Sequence, residues 1–220
     1  MLPPEIGSIL RGGAGELGCP LTDVQADRLQ AYLELLLRWN RTYNLTALRD
    51  PRQMGVQHLL DSLSVVTSLR RHSAGNPLRL LDVGSGGGLP GVVIAAVLPA
   101  ASVTCVEAVG KKAAFIRQAA LELNLTNIAV AHSRVETLAG GLFDVIASRA
   151  FASLRDFVSL THDKLDPRGA WMAMKGDVPE DEIRLLDPES ATVFHVEQIH
   201  VPFLSAKRCL VWMKPPVSKR

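Results

Sequence analysis

The stretch that decides the fold is Leu80–Gly91, which reads LLDVGSGGGLPG. Apolar residues lead into a glycine-rich turn, and a second apolar run follows it. Glycines let the backbone turn sharply and approach a ligand closely, and free N–H groups at the start of the following helix attract negative charge. Gly86, Gly88 and Gly91 satisfy the pattern GxGxxG, which is typical of dinucleotide-binding strand–turn–helix units. Because glycine-rich turns with a purely structural role share this pattern, the spacing alone does not identify the ligand.

Short apolar runs alternate with helical segments on both sides of this turn. We predict strands at Leu78–Val83, Ala101–Glu107, Asn127–Ala131, Phe143–Ser148 and Ala170–Lys175, and helices from the turn to Leu98, over Lys111–Leu123 and over Ala152–Leu165. This alternation predicts an α/β fold with a mostly parallel, doubly wound sheet. Thr192–Val201 and Arg208–Lys214 also resemble strands, and the linker between them is too short for a helical crossover. We therefore expect them to pair antiparallel, in a seven-stranded sheet whose last strand is reversed.

The segment before the first strand has helical periodicity instead. Residues 20–44 carry leucines at helical spacing behind a possible capping box of Thr22 and Gln25. A second helix is predicted over Pro51–Leu69, with Asp50 as its N-cap. We therefore expect an N-terminal helical layer over residues 1–77, packed on a cofactor-binding core over residues 78–220.

Composition narrows the class of protein. The 220 residues are 47% hydrophobic, which excludes a disordered chain. Cys19, Cys105 and Cys209 show no metal-ligand spacing, which favours a reducing compartment and no metal site. The first residues lack a signal-peptide pattern, and no apolar run is long enough to span a bilayer. We expect a soluble cytoplasmic protein, most simply a monomer, that binds no membrane.

Basic and acidic residues almost balance, at 24 against 22, for a net charge of +2. This balance argues against a broadly basic nucleic-acid-binding surface, because phosphate neutralisation needs surplus Lys and Arg. The last 14 residues nevertheless hold five basic residues and no acid, namely Lys207, Arg208, Lys214, Lys219 and Arg220. Any contact with nucleic acid is therefore expected to be local.

Two acidic residues distinguish between nucleotide ligands. Asp82 lies inside the first strand, where a carboxylate would repel a pyrophosphate but could face the ammonium of an amino-acid group. Glu107 ends the second strand and can accept hydrogen bonds from both ribose hydroxyls. One acid for an ammonium and one for a ribose favour S-adenosylmethionine over NAD. A P-loop is excluded, since no GKS or GKT follows the glycines.

Several further blocks make the sequence resemble one family, the bacterial ribosomal RNA small subunit methyltransferase G (glucose-inhibited division protein B) family. The blocks are WNRTYNLT at 39–46, RDP at 49–51, HLLDS at 58–62, the glycine turn with Leu89-Pro90-Gly91, SRVE at 133–136, SRAFA at 148–152 and Lys175-Gly176. The resemblance implies S-adenosylmethionine-dependent methylation of N7 of one guanine in 16S rRNA, near the decoding site. It makes the small ribosomal subunit or its precursor the partner.

The sequence lacks the equipment that other methyl acceptors need. Carbon 5 of a pyrimidine requires a cysteine nucleophile, and Ser148-Arg149-Ala150-Phe151 after the fourth strand contains none. Exocyclic amines commonly require an Asn/Asp-Pro-Pro-aromatic motif here, which is also absent. Guanine N7 carries a free lone pair, so alignment with the methyl donor is sufficient. These absences are consistent with direct transfer to N7.

The expected site has a substrate side and a cofactor side. On the substrate side we expect Asn44, His58 and Arg149, although Asn44 could instead be a helix C-cap, His58 a structural residue and Arg149 part of an ion pair. On the cofactor side we expect Asp82, Gly84, Ser85, Gly86, Gly88, Leu89, Glu107, Arg134, Val135, Glu136 and Arg149. The backbone around Arg134 follows the third strand, where adenine binds in this fold.

Three other functions fit parts of the pattern. An NAD-dependent oxidoreductase would use the same glycine turn, and a non-catalytic ribosome-binding module could keep the fold without the chemistry. A small-molecule methyltransferase would share the cofactor site. Binding and methyl-transfer assays separate these alternatives.

Overall fold

The computed structural model describes residues 2–216, in which seven strands form one sheet. The strands are β1 (Leu78–Val83), β2 (Ala101–Val106), β3 (Ile128–Ala131), β4 (Phe143–Ser148), β5 (Leu165–Lys175), β6 (Thr192–Ile199) and β7 (Arg208–Lys214). Their order is β3-β2-β1-β4-β5-β7-β6. The first five strands pair in parallel, and β7 runs antiparallel to both β5 and β6. The predicted α/β class and reversed last strand are confirmed.

Helices cover the sheet and form the N-terminal layer. They are α1 (Glu5–Glu16), α2 (Asp23–Tyr43), α3 (Pro51–Met54), α4 (Asp61–Leu63), α5 (Val66–Ser73), α6 (Gly91–Val97), α7 (Gly110–Glu122), α8 (Leu154–Thr161) and α9 (Glu180–Arg184). A π-helical turn, Gly55–Leu60, joins α3 to α4, and 3₁₀ turns span Val135–Thr137 and His162–Lys164. None of the helices within residues 2–216 is long and apolar enough to cross a membrane.

The predicted helix caps are present. The Gln25 N–H donates to Thr22 Oγ1 at 3.3 Å, and the Thr22 N–H donates back to Gln25 Oε1 at 3.0 Å. These two bonds form the capping box that starts α2. The Gln53 N–H donates to Asp50 Oδ1 at 2.8 Å, so Asp50 caps α3 as expected. Local sequence therefore sets both helix starts.

The continuous helix expected over Pro51–Leu69 is wrong. The chain instead passes through α3, the π-helical turn, α4 and α5. Helical periodicity in the sequence cannot separate a π-helical turn from an α-helix, because one extra residue per turn shifts the apolar positions only slightly.

Helix α1 is an addition to the elements expected from the sequence. Ile6, Leu10 and Ala14 are fully buried along one face of it. A Cβ at Gly13 would lie 2.7 Å from Leu60 Cδ1. Gly13 therefore permits close packing of α1 on the π-helical turn.

The start of one strand and the end of one helix also differ from expectation. β5 begins at Leu165 rather than Ala170, and α8 ends at Thr161. The Thr161 hydroxyl donates to Phe157 O and accepts from Trp171 Nε1–H at 2.8 Å. This buried contact ties the end of α8 to β5, and it depends on a residue ten positions along the chain.

The N-terminal helices share a core with one face of the sheet. Buried Leu29, Leu33 and Leu36 of α2 belong to the same apolar cluster as Val92 of α6 and Phe115 of α7. The Tyr32 hydroxyl donates to Gly87 O at 2.6 Å, which joins α2 to the glycine turn. The N-terminal layer therefore forms part of the wall around that turn. The division at residues 77 and 78 stays a prediction.

Candidate active site

A cavity of about 500 Å³ opens at the carboxyl ends of β1, β4 and β5. Ligands bind at these ends in open parallel sheets. The glycine turn forms its floor, the N-terminal layer one wall, and the ends of β4, β5 and the start of β7 the other. The lining residues are Leu36, Leu45, Thr46, Leu48, Gln57, His58, Asp61, Gly84–Gly87, Leu89, Arg149, Ala150, Met174–Gly176 and Arg208.

The glycine turn needs its glycines. Gly84, Gly86 and Gly88 have φ of +67°, +58° and +86°, a region that side chains other than glycine's adopt at a cost. A Cβ at Gly84 would lie 2.8 Å from Ala150 Cβ, and one at Gly88 would lie 2.5 Å from Val92 Cγ2. The turn therefore presents bare backbone to the cavity.

Asp82 supports the turn from below. Its side chain is fully buried, and its Oδ2 accepts from the Gly91 N–H at 2.8 Å. Oδ1 has no hydrogen-bond partner among residues 2–216, and burial raises the pKa of this carboxyl to about 6. The expected contact with an ammonium group does not match this position, because no part of Asp82 reaches the cavity surface.

Glu107 connects the glycine turn to the loop after β2. Its Oε2 accepts from the Gly86 N–H at 2.8 Å, and its Oε1 accepts from the Val109 N–H at 2.8 Å. A carboxylate has about four acceptor positions, so each oxygen keeps capacity for another donor. This geometry suits the expected contact with a ribose.

The loop after β3 lies beside Glu107, since the Glu107 N–H donates to Ala131 O at 3.0 Å. Arg134 caps the following 3₁₀ turn, and its carbonyl accepts from the Thr137 N–H. Val135 is buried, whereas the Arg134 and Glu136 side chains are exposed. These three residues border the glycine-turn side of the site but do not line the cavity.

His58 lies on the π-helical turn and lines the cavity. Its Nε2 is 2.9 Å from Thr46 Oγ1. Burial, assisted by the positive charge of Arg149, lowers the pKa of His58 to about 4. His58 is therefore neutral near pH 7 and can accept or donate a hydrogen bond without carrying charge.

Asn44 is not brought together with His58 and Arg149. It is the C-cap of α2 with φ +48°, and its Oδ1 accepts from Arg49 Nη2–H at 2.9 Å. Its exposed side chain lies outside the cavity, which Leu45 and Thr46 line instead. The structure thus supports the capping role and not the expected substrate contact.

Arg149 meets two residues that are distant in sequence. Its Nη1–H donates to Asp61 Oδ2 at 3.1 Å, and Arg208 Nε–H donates to Asp61 Oδ1 at 2.7 Å. In the sequence, Asp61 belongs to a family block with no assigned role, and Arg208 belongs to the basic tail. The feature of the sequence that could have indicated a role for Asp61 is its position as an acid among the apolar residues Leu59, Leu60 and Leu63. Of that tail, Lys219 and Arg220 lie outside the described residues.

Lys175, at the end of β5, completes the ring of charges around the cavity. Its ammonium donates to both carboxylate oxygens of Glu182, at 2.8 and 3.0 Å. The Leu154 N–H donates to Glu182 as well. The positive charge of Lys175 is therefore balanced by Glu182.

The family model for GidB, rRNA small subunit methyltransferase G, matches residues 25–211. The chain belongs to this family. It is 60% identical over 206 residues to the ribosomal RNA small subunit methyltransferase G of Leptothrix cholodnii, covering 94% of each chain. It is 57% identical over 204 residues to that of Methylibium petroleiphilum, covering 93% of this chain and 92% of the other. The resemblance stated from the sequence is confirmed.

Solved structures confirm the fold of this methyltransferase G family member. A Burkholderia thailandensis 1,6-didemethyltoxoflavin-N1-methyltransferase, solved with S-adenosylhomocysteine, matches with TM-score 0.57 at 14% identity, over 90% of this chain and 92% of the other. A SAM-dependent methyltransferase from Aquifex aeolicus matches with TM-score 0.57 at 16% identity, over 77% and 96%. The methyl donor of this family is S-adenosylmethionine.

The residues present fit that donor. Gly84 is exposed at the cavity floor, where a Cβ would collide with Ala150. Glu107 retains acceptor capacity beside it, and the Lys175 charge is already compensated. A nucleoside needs close approach to the backbone, which the glycine turn allows, and its free ribose hydroxyls need an acceptor, which Glu107 provides.

Proposed function

We propose that this chain transfers a methyl group from S-adenosylmethionine to N7 of a single guanine in 16S rRNA, directly and without a covalent enzyme intermediate. The observation that carries the proposal is the composition of the cavity. The glycine turn shares it with Arg149 and Arg208, and no cysteine lines it. The site can thus hold a cofactor and an anionic substrate, and among the residues that the structure describes no cysteine is placed to act as a nucleophile there.

All three cysteines are buried away from the cavity. Burial raises the pKa of Cys19, Cys105 and Cys209, so each remains a thiol near pH 7. A thiol is a poor nucleophile compared with a thiolate. This argues against pyrimidine C5 as the acceptor and for an acceptor that is nucleophilic by itself.

When bound, S-adenosylmethionine supplies a methyl group on a positively charged sulfur. We assign its binding to the backbone of Gly84, Ser85, Gly86, Gly88 and Leu89. Glu107 accepts from the ribose hydroxyls, and the loop over Arg134, Val135 and Glu136 lies beside the adenine. Asp82 acts indirectly, by fixing the Gly91 end of the turn.

Guanine N7 needs no deprotonation, because its lone pair is free on the major-groove edge. The chain therefore needs no general base, and the neutral state of His58 fits this requirement. We assign His58 to positioning the base edge and Arg149 to holding the substrate beside it, so that rate enhancement comes from alignment. The guanine must be unstacked to enter the cavity.

The partner we propose is 16S rRNA within the small ribosomal subunit or its precursor. Net charge of +2 is too small for non-specific RNA binding over the whole surface. The folded shape of the particle must then supply much of the recognition. This reading agrees with the names of the relatives, which specify the small subunit.

The test is methyl transfer from tritiated S-adenosylmethionine to small subunits, followed by mass spectrometry of rRNA fragments. We expect label on N7 of one guanine. Label at another atom or in several fragments would contradict the proposed specificity, and absence of label would support a non-catalytic module. Isothermal titration with S-adenosylmethionine and with NAD provides the second arm, and binding of NAD alone would indicate an oxidoreductase.

A further inference from the structure

Three charged residues from separate parts of the chain meet at one wall of the cavity. Asp61 comes from α4, Arg149 from the end of β4 and Arg208 from the start of β7. Each carboxylate oxygen of Asp61 accepts from one guanidinium, at 3.1 Å from Arg149 Nη1 and 2.7 Å from Arg208 Nε. The side chain of Asp61 is 5% exposed, and the two arginines are 26% and 25% exposed.

The cluster carries more positive charge than Asp61 can neutralise. One guanidinium would suffice for one carboxylate, and holding a second in a largely buried place is costly without another anion. The remaining charges of the cavity do not change this balance. Lys175 is paired with Glu182, and His58 is neutral near pH 7. The carboxyl of Asp82, which interacts electrostatically with Arg149, is buried beneath the glycine turn and does not line the cavity. The side chains that line this wall therefore have a surplus of one positive charge.

The two guanidiniums also keep free donors. Arg149 uses Nη1 on Asp61, and Arg208 uses Nε on Asp61 and Nη1 on Lys207 O. Among residues 2–216, Nη2 of neither arginine donates to protein. Guanidinium donors in a fixed plane match the oxygens of a phosphate group, and a phosphodiester carries the single negative charge that the surplus would balance.

We propose that Asp61 holds Arg149 and Arg208 together as one phosphodiester-binding subsite, which fixes an RNA backbone phosphate beside the acceptor nucleotide. Asp61 is in this view a positioning residue, and the arginines make the contact. The inference rests on the proposed rRNA function. The carboxylate of the cofactor has similar chemistry, so the experiment must separate it from RNA.

Asp61→Asn tests positioning against simple electrostatics. The substitution makes the wall more positive, which by charge alone would tighten RNA binding. If Asp61 positions the arginines, kcat/KM for small subunits instead falls at least tenfold, while Kd for S-adenosylmethionine stays within threefold. The matched control is Asp144→Asn, which also releases an arginine from a carboxylate but at the opposite end of the sheet; we expect unchanged kcat/KM.

Arg208→Gln gives an independent measurement in case Asp61→Asn does not fold. The subsite predicts weaker binding of 16S rRNA fragments and a salt dependence, log Kd against log salt, whose slope falls by about one. Filter binding measures this slope without methyl transfer, so it judges the subsite even if the proposed reaction fails.

Three results would overturn the subsite. If Asp61→Asn and Arg208→Gln weaken S-adenosylmethionine tenfold and leave RNA binding unchanged, the arginines hold the cofactor. If neither binding nor kcat/KM changes in either variant, the three residues form a structural ion cluster only. Methylation of another acceptor, with RNA binding unaffected by Arg208→Gln, would instead show that both proposals fail.

Discussion

The two ends of the sheet combine the same residue types differently. At the carboxyl ends of the parallel strands, one carboxylate, Asp61, holds two arginines. At the amino ends, Arg79 donates to two carboxylates, at 3.1 Å to Asp144 and 3.0 Å to Asp166, and the exposed Arg168 lies 3.9 Å from Asp166. The first cluster has surplus positive charge, whereas the charges of the second are balanced.

The cluster at the amino ends of the strands stabilises the sheet, whereas the cluster at the carboxyl ends is placed to bind a ligand. Arg79, Asp144 and Asp166 lie near the starts of β1, β4 and β5, so their contacts join three strands where no ligand is expected. The carboxyl-end cluster lies beside the glycine turn, where backbone N–H groups face the cavity. An unbalanced positive cluster is useful at that end because the RNA backbone brings negative charge.

The largest effect is expected from a methyl group at each end. Gly84→Ala places a Cβ 2.8 Å from Ala150 Cβ at φ +67°, which should move the turn and abolish binding of S-adenosylmethionine in isothermal titration. Gly169→Ala places its Cβ 2.8 Å from Asp144 O and should cost about 1–3 kcal/mol of unfolding free energy. Normal affinity for S-adenosylmethionine in Gly84→Ala, or lost affinity for it in folded Gly169→Ala, would contradict the difference between the two ends of the sheet.

The arginines at the two ends provide the next largest contrast. We expect Arg149→Ala to lower kcat/KM for small subunits by about a thousandfold while Kd for S-adenosylmethionine changes less than tenfold, because the lost contacts are on the substrate side. Arg79→Ala should leave kcat/KM unchanged and cost at most about 1 kcal/mol of stability, since its pairs are half-exposed. Unchanged turnover in Arg149→Ala would refute its role.

The pH dependence of stability should have opposite signs at the two ends. Burial raises the pKa of Asp82 to about 6, so the folded state binds the proton more tightly than the unfolded state and this contribution weakens as pH rises from about 4 through 6. The hydrogen bond from Arg79 lowers the pKa of Asp144, so its contribution is present above about pH 4 and is lost as pH falls through the folded pKa.

Urea titrations of Asp82→Asn and Asp144→Asn against the parent protein measure these two slopes separately. Relative to the parent, Asp82→Asn should lose about 2 kcal/mol between pH 7 and pH 4, because most of the shift in pKa takes effect in this range at about 1.4 kcal/mol per pKa unit. The deficit of Asp144→Asn should instead shrink below pH 4. Because each difference is taken against the parent, the titration of His58 cancels. Equal slopes in both variants would refute the assignment.

The smallest effect is expected at Asn44, which lies near the carboxyl-end site but outside its cavity. Asn44→Gly keeps a residue that tolerates φ +48°, so unfolding free energy should change by less than about 0.5 kcal/mol. The methylation assay should show no change. A tenfold loss of kcat/KM would restore Asn44 to the substrate side.

Local patterns were sufficient for most of the fold. The glycine turn, the capping box at Thr22 and the alternation of apolar runs each depend on neighbours within a few positions, and the structure contains all three. The missed elements have other causes. Helix α1 contains four glycines in its twelve residues, which lower helix propensity, and the burial of Ile6, Leu10 and Ala14 compensates.

Some residues of the candidate site could be predicted from the sequence and others could not, because only some of their positions follow from local patterns. Glu107 and Arg149 follow strands directly, so their places at the carboxyl edge follow from the strand positions. Asn44 was expected at the site from a family block, but a single left-handed residue at the end of α2 directs its side chain toward Arg49. No residue pattern in the sequence shows whether the Asn44 side chain points toward the cavity or toward Arg49.

By itself, the sequence determined the strand–turn–helix unit, the acid after β2 and the absence of a cysteine directly after β4, because each depends on residue type and local spacing. Only the tertiary structure decided that Asp61, Arg149 and Arg208 meet. Their contact requires β4, β5 and β7 to lie side by side and the π-helical turn to direct α4 toward them. Such contacts arise from burial of apolar faces across the whole chain, and no short stretch of sequence records that packing.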